Sequence, residues 1–186
     1  MHDLKRVELK LADQYNIRFA GLREGSHKFS FVCDKRFFDD YPVLEARDGI
    51  VNVSVTLEKG SNMLSLQIEM DGYLEIQCDR CLDYFKLPLR YSGNLVVKFS
   101  EDKNGGTEEL WVMDPGEYQL EMKHHFFECI GLCLPIQRMH PTDKQGNPAC
   151  NDDMLELLQQ HHHSKKDENE GDPRWNKLKD LLNNNN

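Results

Sequence analysis

Cys78-Asp79-Arg80-Cys81 sets two thiols three positions apart. A tight turn brings sulfurs at that spacing within a few ångströms of each other, as tetrahedral zinc requires of ligands bound at about 2.3 Å. One such pair is half a ligand set, so the rest must come from a distant part of the chain. His140 and Cys150 flank an irregular loop and complete a Cys3His set of Cys78, Cys81, His140 and Cys150. Cys133 in place of His140 is the alternative fourth ligand. The same pair also admits a redox reading, since thioredoxin-like sites use Cys-x-x-Cys at a helix N-terminus, where the dipole lowers a thiol pKa. Here Leu82 to Leu89 reads as strand, which argues against that use. A zinc hydrolase would need an open coordination position and a general base, and no base stands beside the motif.

Other chemical signals are sparse. The sequence has no Gly-rich phosphate loop, no His-Glu-x-x-His and no Gly-x-Ser-x-Gly. Cys33 alternates with Phe29 and Phe31, and Cys129 and Cys133 lie one helical turn apart; all three read as core thiols. His124 and His125 read as surface residues of a helix, and His161 to His163 as part of a solvated linker. Arg80, Lys86 and Arg90 lie close to the cysteine tip and read equally well as a small basic patch or as a solvated strand face.

The elements that must position the cysteines are strands. Val51, Val53, Val55 and Leu57 alternate with polar residues, Lys59 to Asn62 form a turn, and Leu64, Leu66, Ile68 and Met70 alternate again, which is a hairpin. Gly72 suggests a bulge. The alternation resumes at Leu74 and Ile76 and reaches Cys78. Tyr84 to Leu89 reads as the return strand, with Pro88 marking an edge or a bulge, and Tyr91 to Phe99 as another. Val7, Leu9 and Leu11 predict a first strand, His27 to Cys33 a second, and Leu110 to Met113 a short later one. Phe37 and Phe38 predict a core plug. Tyr118 to Leu134 predicts a helix ended by Pro135, and Asp152 and Asp153 open a short helix over Met154 to Leu158. The fold class expected is α+β: a β-rich antiparallel meander, either a sheet or a partly closed barrel, with a few helices toward the C-terminus. The domain expected is 1–160, followed by a polar linker over 161–172 and an amphipathic helix and tail over 173–186.

The net charge of −9 and pI near 5.3 exclude a protein that coats nucleic acid by bulk attraction, because each phosphate contact needs a Lys or Arg. The first eleven residues lack the apolar run of a signal peptide, and no 18-residue apolar stretch exists. These features predict a cytoplasmic protein with no membrane association. A reducing compartment in turn favours metal over disulfide for the six cysteines.

The motifs in order form a pattern. Glu75 to Leu82 reads E-I-Q-C-D-R-C-L, a strand pair and an acidic loop follow, Phe126 to Pro135 reads F-F-E-C-I-G-L-C-L-P, then come Met139-His140 and Cys150. Asp172 to Leu181 reads D-P-R-W-x-x-L-x-x-L. This order resembles the YceD family of large ribosomal RNA subunit accumulation proteins. The resemblance implies a non-enzymatic factor supporting large-subunit rRNA accumulation or processing and ribosome assembly. Its implied partners are a large-subunit precursor, through rRNA or a ribosomal protein, with no small-molecule substrate. It places the family's cysteine pair on Cys78 and Cys81, its following histidine on His140 and its later cysteine on Cys150. Some relatives carry a second compact Cys pair after Gly-Leu-Cys; Gly131-Leu132-Cys133 begins that pattern here and Leu134-Pro135-Ile136 does not complete it. The expected contact residues are Arg80, Lys86, Arg90, Arg174, Trp175 and Lys177. A zinc- or thiol-dependent hydrolase or oxidoreductase using Cys78 and Cys81 is the competing class. A zinc-stapled interaction module with another partner is a third.

Overall fold

The computed structural model describes residues 13–101, 106–142 and 149–164. The strand expected around Val7, Leu9 and Leu11 lies outside them, as do Arg174, Trp175, Lys177 and the helix expected to carry them. The chain divides into two compact units: Met1–Cys78 with Tyr84–Arg138, and Asp79–Asp83 with Met139–Asn186.

The first unit is built on a five-stranded sheet in the order β2-β3-β4-β5-β6, formed by Gly25–Cys33, Ala46–Lys59, Met63–Gln77, Tyr84–Phe99 and Leu110–Met113. All neighbours are antiparallel except β5 and β6, which run parallel. The sheet is open, so of the two forms expected the molecule takes the sheet. Strict alternation puts Val51, Val53, Val55, Leu57, Leu64, Leu66, Ile68 and Met70 on one buried face and polar residues such as Ser54, Gln67 and Glu69 on the other. Such one-sided burial is what an antiparallel sheet with one solvated face dictates.

Tyr84–Phe99 is one strand rather than the two expected, and its pairing with β4 runs unbroken from Met63↔Lys98 to Gln77↔Tyr84. Gly72 is therefore not a bulge. A Cβ there would stand 2.7 Å from Val51 Cα, so the glycine answers to close backbone approach, the other reason for glycine in a strand. The register shift falls instead in β3, between Ala46 and Asp48. Pro88 pairs with Tyr73 on the β4 side, while β6 reaches only Val96 to Phe99 on the other, so Pro88 lies on an edge stretch of β5.

Over the buried face sit helix α1 (Lys35–Asp39), helix α2 (Lys123–Leu132) and a two-stranded sheet of β1 (Asn16–Arg18) with β7 (Gln119–Glu121). Asp34 caps α1 by accepting from the Arg36 and Phe37 amides at 3.0 and 3.4 Å. Phe37 and Phe38 are the buried plug expected. The helix expected from Tyr118 begins only at Lys123. Its first turn is replaced by β7, which exists because β1 pairs with it, a non-local contact that local periodicity does not register. The helix stops at Leu132, with Cys133 as C-cap and Pro135 just beyond. Phe31, Phe37 and Phe126 gather around Tyr15 and make the aromatic centre of this core.

Among the described residues of the second unit, one element of regular structure is longer than a turn or a single bridge. Beyond the turn at Asp79–Asp83 and the segments around His140 and Cys150, it holds helix α3, Asp152–Ser164. Asn151 caps α3 by accepting from the Asp153 amide at 3.1 Å, and Asp152 and Asp153 in the first turn suit the helix dipole. The helix runs on through His161 to Ser164, which were expected as linker; once nucleated, a helix gains one hydrogen bond per added residue. Among the described residues, no helix is long and apolar enough to cross a membrane.

Candidate metal centre

The β4–β5 ladder ends at Gln77↔Tyr84 and leaves Cys78 to Asp83 to turn the chain. The turn requires left-handed backbone at Leu82, with φ of 65°, directly after Cys81. A bulky residue there is uncommon, and such outliers cluster at sites that surrounding structure over-determines. Cys78 closes the first unit and is the chain neighbour of Asp79; Cys81, His140 and Cys150 belong to the second.

One donor atom from each of Cys78, Cys81, His140 and Cys150 lies within 4.8 Å of all the others. Cys81 Sγ is 3.4 Å from His140 Nδ1 and Cys150 Sγ is 3.8 Å from the same nitrogen. A tetrahedral ion with Zn–S near 2.3 Å and Zn–N near 2.0–2.1 Å separates sulfur from nitrogen by about 3.6 Å. The two measured separations bracket that value. A single imidazole nitrogen makes one good hydrogen bond, so two thiols converging on it are poorly served by hydrogen bonding alone. A cation at the centre would serve all four donors at once. Three thiolates and one imidazole are the soft donors that select zinc over magnesium or calcium.

Burial points the same way. Among the described residues of the second unit, the buried side chains are those of Cys81 and Cys150, while His140, Met154 and Leu155 are half-buried. Among these described residues, the unit buries its donors and no cluster of aliphatic side chains. Asn151, next to Cys150, donates from Nδ2 to Asp83 Oδ2 at 3.2 Å, tying the turn that carries Cys81 to the segment that carries Cys150. Nothing in the local sequence marks Asp83 and Asn151 as partners, because the bond spans 68 positions.

Cys133, the alternative fourth ligand, is not in this group; its thiol donates to the Arg90 carbonyl oxygen at 3.5 Å. Cys33 and Cys129 are buried in the first unit, as expected of core thiols. His125, expected at the surface, is buried, and burial lowers its pKa against the opposing pull of Glu128. Lys86 and Arg90 are exposed on β5, but each stands opposite an acidic residue of β4. Arg90 pairs with Asp71 at 3.0 Å, and Lys86 faces Glu75 while its ammonium sits 4.3 Å from the Tyr73 ring centre. Their charges are thus spread along a cross-strand ladder. Arg80 is exposed in the Cys78–Cys81 turn.

An open antiparallel sheet whose longest hairpin ends in a cysteine pair, completed by a later histidine and cysteine, defines a β-rich protein with a four-donor soft-metal cluster. The family model for Large ribosomal RNA subunit accumulation protein YceD matches residues 66–182, well over half the chain, and the protein belongs to that family. The matched span contains all four donors. No curated protein and no solved structure matches the chain. The family's description gives it a role in large ribosomal RNA subunit accumulation and names no reaction.

Proposed function

We propose that the protein is a non-enzymatic ribosome-assembly factor of the cytoplasm, in which Cys78, Cys81, His140 and Cys150 hold one structural zinc ion. The convergence of the four donors carries the zinc reading, and the family carries the link to large-subunit rRNA. Four protein ligands leave no open position for water or substrate, which separates structural from catalytic zinc. The competing thiol-oxidoreductase reading has less support, because Cys78 and Cys81 flank a turn between two strands and not a helix N-terminus. In the folded unit the ion joins the turn at residues 79–83 to the segments around His140 and Cys150, and its binding free energy becomes folding free energy.

The partner is a precursor of the large subunit, met through rRNA or a ribosomal protein. Arg80, Lys86, Arg90, Arg174, Trp175 and Lys177 are the proposed contacts. The acidic chain and the neutralised ladder at Lys86 and Arg90 favour a basic ribosomal protein over bare RNA. Metal analysis of tag-free protein tests the first half: one zinc per chain is expected, and none after Cys78→Ser with Cys81→Ser. Subunit profiles of a deletion strain test the second: a deficit of mature large-subunit RNA is expected, and a normal profile would remove the assembly role.

A further inference from the structure

A second thiol cluster lies inside the first unit, apart from the four donors described above. Cys129 Sγ lies 3.6 Å from His125 Nε2, one helical turn back on α2. His125 Nδ1 lies 3.6 Å from Glu128 Oε2. A carboxylate only accepts, so Glu128 on the Nδ1 side favours the tautomer protonated at Nδ1, which turns the Nε2 lone pair toward the thiol. The Tyr91 hydroxyl hydrogen-bonds the Cys129 sulfur from β5. That reach depends on Gly93, where a Cβ would stand 2.7 Å from Tyr91 Cζ. The edge of Trp111 closes over His125, with ring centres 5.1 Å apart. Thiol, imidazole and carboxylate thus stand in the order of nucleophile, base and orienting group.

The cluster lines a cavity of about 530 Å³ between β5 and α2. Cys129 is only 2% exposed, so a bulky reagent does not reach it. Glu108, Glu109 and Glu128 line the same cavity, and their charge turns anionic reagents away. Burial pushes the thiol up and the imidazole down, so the resting pair is neutral and the thiol needs a base at the moment of attack.

We propose that Cys129 is a modification site for small uncharged hydroperoxides, with His125 as its general base. The thiol proton passes to His125 Nε2 as the sulfur attacks one peroxide oxygen. The S–O bond forms, the O–O bond breaks, and the departing hydroxide of hydrogen peroxide, or the alkoxide of an alkyl hydroperoxide, takes the proton from His125 and leaves as water or alcohol. Sulfur is oxidised to the sulfenic acid and the hydroperoxide is reduced, a step that thiols reverse.

Cys33 supplies an internal control. It is as fully buried, lines none of this cavity, and its thiol is pushed up to about 12 by burial and by Asp34. The full-length protein is exposed to hydrogen peroxide for timed intervals, the peroxide is removed, the chain is unfolded in the presence of a dimedone-type reagent so that every sulfenic acid is reached, and labelling is mapped by mass spectrometry at all six cysteines. Cys129 is expected to label at least about tenfold faster than Cys33, within the range a positioned base contributes. His125→Gln removes most of that advantage. Glu128→Gln, at a half-exposed side chain whose loss does not threaten the fold, slows labelling about threefold and alters the pH profile of the rate. Equal rates at Cys129 and Cys33, or a Cys129 rate and pH profile unchanged in both variants, overturn the proposal. Rapid mixed-disulfide formation at Cys129 with the anionic disulfide of glutathione overturns the selectivity for small neutral oxidants.

Discussion

The two units hold cysteines in opposite ways. In the first, Cys33 is fully buried at the end of β2 opposite Val51, in a ladder whose alternating apolar residues long strands have already aligned. In the second, the buried side chains among the described residues are themselves cysteines, and the segments bearing them have no strand to fix them. A sheet gains stability from each apolar residue its alternation buries, about 25 cal/mol per Å² of apolar surface removed from water. The described residues of the second unit bury little such surface, and a unit of that kind gains most from a staple. Residue type alone therefore says little about a cysteine's role. What surrounds it, apolar side chains or other donors, decides.

The contrast is broken most directly by removing the metal. Chelation, or Cys81→Ser, is expected to abolish the folded state of the second unit, since structural zinc in small domains supplies roughly 10–16 kcal/mol of apparent binding free energy. Hydrogen exchange reads this out segment by segment. Protection should vanish over residues 79–83, 139–142 and 149–164 and persist over β2 to β5. Protection retained in both regions would mean that the second unit stands on something other than its donors.

The converse perturbation is Phe126→Ala. Phe126 is fully buried against Tyr15 and Phe31. Its truncation should cost about 3–5 kcal/mol in urea unfolding of the first unit and leave zinc content at one per chain. Loss of zinc in this variant would show that the two units do not fold separately.

How far the sequence displayed this division follows from the same physics. Period-two alternation made the β3–β4 hairpin and the approach to Cys78 readable, because one buried face imposes the pattern residue by residue. Phe37 and Phe38 were readable as a core plug because two adjacent aromatics in a short segment closed by Tyr41-Pro42 have little else to do. The pairing of β1 with β7 was not readable, since three-residue strands carry no period of their own, and the helix was drawn too long at Tyr118 as a result. The continuity of β5 through Arg90 was hidden by Pro88, which an edge stretch tolerates. The donor set was legible in its parts, since Cys78-x-x-Cys81 announces itself. The choice between His140 and Cys133 turned on where α2 ends and where the chain goes afterward, which spacing does not encode. His125 was misplaced because one helical face is polar in composition yet lies under Trp111 of β6.

That buried histidine gives a smaller and pH-dependent test. Burial holds its folded pKa below the ordinary value near 6.5. The unfolded chain then binds the proton more readily. The stability of the first unit is therefore fully present above pH 6.5 and falls as pH drops from there toward the lowered folded value. Trp111, whose edge meets the imidazole, provides a fluorescence probe. His125→Gln should flatten the dependence below about pH 6.5 by up to one proton's worth of slope. A slope unchanged in the variant would assign the acid sensitivity to other groups, and zinc content measured across the same range separates it from protonation of the donors.

The smallest effect expected is at Leu82. Its left-handed φ of 65° costs a non-glycine residue on the order of 1 kcal/mol, and its side chain is more than half exposed, so little packing offsets that cost. Leu82→Gly should therefore stabilise the zinc-loaded protein by about 0.5–1 kcal/mol, less the extra entropy glycine gives the unfolded chain. Competition with a chelator reads the same preference as an equal or slightly higher zinc affinity, because the turn after Cys81 is then adopted without strain. The opposite result, weaker zinc binding in Leu82→Gly, would mean that the leucine side chain itself holds the turn in shape. The second unit would then rest on an apolar contact as well as on its donors, and the difference between the two units would be one of degree.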